Sequence, residues 1–175
     1  RITVSSMNSP SDNRNAAASP DAAAEKPTHG AGSSKRHDPP ALKPGLYLVA
    51  TPIGNLGDLS ARARDILDVA DLIACEDTRI TGRLLAANGL STKITSYHDH
   101  SSSSTRDRLI QTLNDGKIVA LVSDAGTPLV SDPGYRLVSA ALEAEIYVTA
   151  APGPSAPLTA LVLSGLPTHR FMFAG

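Results

Sequence analysis

The sequence predicts an α/β domain, a mostly parallel five- to six-stranded sheet with helices on both faces, preceded by a long stretch that builds no core. Three observations carry this reading. From Leu46 onward short aliphatic runs alternate with segments of helical periodicity, the pattern of a sheet made with crossover helices. Each run is apolar along its whole length, which suits strands covered on both faces. The first 44 residues share neither feature and consist mainly of Ser, Ala, Pro, Asn, Gly and Asp.

That first stretch, 1–44, holds only scattered large hydrophobes, such as Ile2, Val4, Met7 and Leu42. It cannot bury enough surface to offset the entropy of ordering it, so it is expected to be a disordered tail. It lacks the continuous apolar core of a secretory signal, and Asp12, Asp21, Glu25 and Asp38 break any resemblance to an acid-poor transit peptide. The five strands expected after it are 46–51, 71–75, 93–97, 118–123 and 146–150, with a sixth beginning at 171–174. Between them Ser60 caps a helix whose Ala63, Ile66, Leu67 and Ala70 fall on one stripe. A second helix covers 79–88 and stops at Gly89; a third covers 105–115, turns Leu109, Ile110 and Leu113 inward and stops at Gly116. The fourth is expected to start with Asp132 as N-cap and Pro133 in the first helical position. The fifth starts at Ser155, with Pro157 tolerated in its first turn. The domain is thus expected over 45–170.

Composition excludes several classes. No run approaches the roughly 18–20 apolar residues of a membrane span, so no membrane partner is expected. The single cysteine, Cys75, cannot form an intrachain disulfide, which makes a reducing cytoplasm the default location. Residues 45–175 carry ten Lys and Arg against thirteen Asp and Glu. A dedicated nucleic-acid module usually shows a basic surface, and this segment does not show one by bulk count.

In open α/β sheets ligands gather outside the carboxyl ends of the strands, so the loops after the strands are the places to look for chemistry. The first, from Pro52 to Asp58, contains Gly54 and Gly57, which do not make a dinucleotide fingerprint but allow close backbone approach. The second, Glu76-Asp77-Thr78-Arg79, offers a carboxylate pair that either works as acid and base or is paired with the nearby arginine. The third holds His98-Asp99-His100, two histidines without the third and fourth ligands of a zinc site, so no metal is expected. The fourth is the most informative. Ser123–Ser139 contains Asp124, Gly126, Thr127, Pro128, Asp132, Pro133 and Gly134, more turn residues than a connection of about 2–6 residues needs. Asp124 directly follows a buried strand, has no capping duty and is expected to point into the cleft. Cys75 ends an apolar strand and reads as an ordinary core residue.

Four blocks together, Leu46–Ser60, Glu76–Arg79, Ser123–Tyr135 and Pro152–Ala156, resemble the tetrapyrrole (corrin/porphyrin) methylase superfamily, and within it the ribosomal RNA small-subunit methyltransferase I group. The resemblance spans 46–175. It implies S-adenosyl-L-methionine as cofactor and 2′-O-methylation of a cytidine ribose in small-subunit ribosomal RNA. It also implies a homodimer, and a cofactor cleft shared with a following α/β domain. Carried over by residue, the cofactor-binding candidates are Pro52, Asp124, Gly126, Thr127, Pro128, Ser155 and Ala156. The titratable or charged groups at the carboxyl edge of the sheet are Glu76, Asp77, Arg79 and His98, among which sequence does not choose; the preferred catalytic candidates are Glu76, as base or orienter, and Arg79, as a phosphate contact. Members of the group usually continue the histidine block with an Asn-Glu pair, where this chain has Ser101–Ser104. Residues 171–175 correspond to the start of the linker into the second domain, so this chain is expected to hold one half of the cofactor site and to be inactive alone. The rival readings are a tetrapyrrole-precursor methylase of the same superfamily, and a nucleotide-binding module without catalysis.

Overall fold

Five parallel strands form one sheet: β1 (Gly45–Val49), β2 (Leu72–Cys75), β3 (Ile94–Ser96), β4 (Ile118–Val122) and β5 (Val148–Ala151), in the order β3-β2-β4-β1-β5. The computed structural model describes residues 41–98 and 102–175, all within the unit His37–Gly175. The expected tail therefore lies outside the described residues up to 40, as do Asp99 and His100. Of the described approach, Leu42 packs against the core, and the Tyr47 hydroxyl donates to the Lys43 carbonyl at 2.7 Å.

Each strand is succeeded by a helix: α1 (Ala61–Val69), α2 (Thr78–Ala87), α3 (Ser103–Asn114), α4 (Tyr135–Glu143) and α5 (Ala156–Leu163). Side chains alternate along each strand, so β4 sends Ala120 and Val122 to one face and Val119 and Leu121 to the other. On the first face Ala63, Ile66 and Leu67 of α1 and Leu85 of α2 close the core; on the second, Leu109 and Leu113 of α3 and Leu137 and Ala141 of α4 do so. Fully burying a Leu or Ile contributes about 1.5–3 kcal/mol, and helix faces on both sides are what hold so apolar a sheet in water. Ser60 caps α1 as predicted, its hydroxyl accepting from Ala63 N–H at 3.1 Å. Gly89 and Gly116 stand after α2 and α3 with positive φ.

Three predicted features differ. The segment 171–174 forms no strand; Phe171, Met172 and Phe173 are exposed, and among the described residues β5 pairs only with β1 and remains an edge. The fourth helix begins two residues later than expected, with Gly134 rather than Asp132 as N-cap. Gly134 takes φ 131° where a Cβ would run into Leu121 Cδ2, and it is this residue, with no side-chain capping bond, that precedes the first turn. The last strand starts at Val148 rather than 146, because Ile146 N–H is spent on Ala141 O, closing the end of α4 with Glu145 in the left-handed region.

Register aligns the strand ends. Ser96, Cys75, Val122, Val49 and Ala151 lie side by side in one row, so all five outgoing loops leave the sheet at one level. The chain leaves β1 and β2 toward α1 and α2 on one face, and leaves β4, which lies between them, toward α4 on the other. Such a divergence opens the crevice in which doubly wound sheets bind ligands.

Candidate functional site

The loops at this edge are fastened to one another. Thr51, buried after β1, exchanges two backbone hydrogen bonds with Gly126 after β4, donating at 2.8 Å and accepting at 3.0 Å. Its hydroxyl donates to Ser123 O at 3.1 Å, and the Ser123 hydroxyl donates to Gly126 O at 3.2 Å. Gly126 sits at φ 86°, and a Cβ there would approach Ile53 Cδ1 to 3.3 Å, so glycine lets the two loops lie this close. Thr127 Oγ1 donates to Pro154 O at 2.9 Å, tying in the loop after β5. The loop after β2 joins through Asp77, whose N–H donates to Asp124 Oδ1 at 3.0 Å.

Asp77 is also the N-cap of α2. Its carboxylate accepts from Arg79 N–H at 2.8 Å and pairs with the Arg79 guanidinium, Nη2 to Oδ2 at 2.5 Å. These bonds to Arg79, side chain first and then backbone, hold the Asp77 carboxyl down to about 2. Burial pushes the Asp132 carboxyl up, with the neighbouring Asp124 charge adding to the rise and the Ser123 hydrogen bond opposing it. The Cys75 thiol is raised chiefly by burial and further by the charges of Asp124 and Asp77. Three carboxyl groups, Asp77, Asp124 and Asp132, thus lie close together at this edge, with Asp77 matched by Arg79.

Beside Asp124 a cavity of about 350 Å³ opens between the first loop and α2, walled by Pro52, Leu56, Ile80, Arg83 and Leu84. On the other side of the first loop a second cavity of about 340 Å³ is lined by Ile53, Pro154, Ala156, Thr159 and Leu163. A wider hollow of about 430 Å³ between α3 and α4, lined in part by Arg106, Tyr135, Arg136 and Glu143, includes none of the predicted site residues.

The predicted cofactor residues thus fall into three groups. Pro52 and Asp124 line the first cavity, and Ala156 lines the second. Gly126 and Thr127 make the links between loops, Pro128 is buried beside them, and Ser155 is the N-cap of α5 without a side-chain capping bond. Of the catalytic candidates, Glu76 is exposed at the end of β2, and its carbonyl accepts from Ser96 Oγ at 3.3 Å. Arg79 is exposed and engaged with Asp77. Sequence reasoning passed over Thr51 and Ser123, whose hydroxyls join the loops, and Arg83 on the cavity wall. Only the spacing of Arg83, four residues after Arg79 and so one turn along α2, could have pointed to it.

Known proteins resemble this chain over most of its length. The chain is 56% identical over 134 residues to "Ribosomal RNA small subunit methyltransferase I" of Mesorhizobium japonicum, a match covering 77% of this chain and 46% of that protein. The protein of the same name from Rickettsia prowazekii is 51% identical over 77% of this chain and 48% of its own length; that from Escherichia coli O157:H7 is 50% identical over 74% and 46%. The chain therefore spans about half the length of the curated relatives it matches. Among solved structures, uroporphyrin-III-C-methyltransferase from Thermus thermophilus superposes with a TM-score of 0.54 at 26% identity, covering 71% of this chain and 53% of that one. A family model matches residues 45–172, from the first strand to the far side of α5, and the chain belongs to that family, the tetrapyrrole (corrin/porphyrin) methylases.

Proposed function

We propose that this chain is the donor-binding half of an S-adenosylmethionine-dependent methyltransferase that 2′-O-methylates a cytidine ribose in small-subunit ribosomal RNA. The observation that carries the reading is the crevice at Asp124, where four loops are fastened together at the point of divergence between β4 and its neighbours. The RNA substrate is supported by relatives at 50–56% identity that carry that name.

The residues present fit such a donor. The first cavity lies within the roughly 300–1,000 Å³ range of small-molecule sites, and Asp124 on its wall offers a carboxylate to a cationic ligand. When bound, the donor supplies an activated methyl group on a sulfonium. Pro52 and Asp124 would hold it from the first cavity and Ala156 from the second, with Gly126, Thr127, Pro128 and Ser155 fixing the loops around it. Positioning provides most of the acceleration in such a transfer, and these interlocked loops are suited to positioning. A ribose hydroxyl still has to lose its proton as the new O–C bond forms, and Glu76 at the end of β2 is the proposed acceptor. A homodimer is proposed as the working assembly.

The test is methyl incorporation from labelled donor into small ribosomal subunits lacking the modification, by this chain alone and extended to its relatives' length. The extended protein is expected to label one cytidine ribose, and Glu76→Gln to lower kcat by roughly 10²–10⁴-fold. Labelling of a tetrapyrrole instead, or calorimetric binding of NAD or ATP in place of the methyl donor, would overturn the reading.

A further inference from the structure

Arg79 was the arginine expected to meet a phosphate, but both Nε and Nη2 of its guanidinium are committed to the Asp77 carboxylate. One turn further along α2, Arg83 is exposed on the wall of the first cavity. Its guanidinium makes no ion pair or side-chain hydrogen bond among the described residues. Ile80, Arg83 and Leu84 fall at i, i+3 and i+4 and so share one face of the helix. Across the cavity stands Leu56, and both Leu56 and Ile80 expose much of their apolar surface, 58% and 39%. A free guanidinium set among exposed apolar side chains is a two-part receptor. The planar fork suits the oxygens of a phosphate, and the apolar walls suit the sugar and base attached to it.

We propose that Arg83 anchors the backbone phosphate of an RNA nucleotide at the mouth of the cavity beside Asp124, with the exposed Leu56 and Ile80 contacting the same nucleotide and the donor held deeper, against the buried Pro52 and the half-buried Asp124. This rests on the reading of the substrate as RNA. It also answers the charge problem posed by the sequence. A segment with more acids than bases takes a polyanion locally, at the unpaired guanidinium of Arg83.

The experiment compares Arg83→Ala, Arg83→Lys and the parent, each extended to its relatives' length, in methylation of unmodified small subunits over a range of salt. Arg83→Ala is expected to raise the KM for RNA roughly tenfold or more, to weaken RNA binding by more than it weakens calorimetric binding of the methyl donor, and to reduce the log–log salt slope of RNA binding by about one. Arg83→Lys is expected to restore the slope but only part of the KM, since an ammonium keeps the charge and loses the fork. If the parent methylates RNA while Arg83→Ala leaves both KM and slope unchanged, the inference fails and the proposed function stands. A change confined to the donor's affinity also overturns it, placing the guanidinium against the donor instead. If the parent does not methylate RNA at all, the proposed function fails and the inference with it.

Discussion

At the scale of single residues, the edge of the sheet depends on backbone conformations that few side chains tolerate. Gly134 has φ 131°, and a Cβ there would stand 2.7 Å from Leu121 Cδ2, inside the second core. Gly134→Ala is therefore expected to cost about 2–3 kcal/mol in denaturant unfolding, combining a strained φ with overpacking. Gly89→Ala also has a positive φ but no atom within 4 Å of the new Cβ, and should cost only about 1 kcal/mol. Equal losses at the two sites would show that conformation alone is responsible. Asp77 gives a residue-scale prediction in pH. Its carboxyl is held at about 2, below the usual carboxylate range, so its contribution to α2 is present above that range and is lost as the pH falls through about 2. A carboxyl-detected NMR titration should place its midpoint there. Arg79→Ala removes the largest cause and should return the midpoint toward the usual range.

At the scale of elements, Asp124 connects the fourth loop to the second through one hydrogen bond from Asp77 N–H, and it also brings charge to the cavity wall. Two substitutions separate these roles. Asp124→Asn keeps an acceptor and loses the charge, so it is expected to melt close to the parent while binding the methyl donor more than tenfold less tightly. Asp124→Ala leaves the Asp77 N–H without its partner, about 1–3 kcal/mol in stability, and should lose both. If Asp124→Asn bound the donor as well as the parent, the carboxylate would be a fastening and nothing more. How much of this was legible in the sequence depends on the range of the interactions. The strands and α1–α3 could be read because apolar runs and capping residues are local signals, as Ser60 and Gly116 illustrate. The start of α4 was misread because Asp132-Pro133-Gly134 supplies a cap and a first turn at either of two registers. Leu121, a distant residue under Gly134, belongs to the observed one. At the site, the loop blocks were visible, but the bonds between them were not. Thr127 meets Pro154 across 27 positions and Asp77 meets Asp124 across 47, and no periodicity encodes such pairs. Arg79 shows the same limit, since the sequence allows it a carboxylate partner in this loop but does not choose between Glu76 and Asp77, which the capping geometry of Asp77 does.

At the scale of the whole molecule, α5 and the C-terminal segment after it differ from every other element. The helix reads Ala-Pro-Leu-Thr-Ala-Leu-Val-Leu, none of its residues is buried, and Val162, Leu163, Leu166 and Met172 are each more than 65% exposed. A helix apolar all round is normally a buried one, and a contiguous apolar surface marks a place where another surface fits. Because α5 contributes nothing to either core, charging it should not unfold the domain. Val162→Glu combined with Leu163→Glu is expected to leave the melting temperature of the described unit essentially unchanged, since substitutions that break no packing stay within about 0.5 kcal/mol. The same pair should abolish binding of a hydrophobic dye by the chain. The consequence reaches the site through geometry. Leu163 lines the second cavity with Ile53 and Ala156, so whatever covers α5 also encloses that cavity. Extending the chain to its relatives' length should therefore remove dye binding and tighten binding of the methyl donor together. In the extended protein the double substitution should reverse both effects. If extension tightened donor binding while the dye still bound, the surface covering α5 and the surface completing the donor site would be different, and the second cavity would have no part in holding the donor.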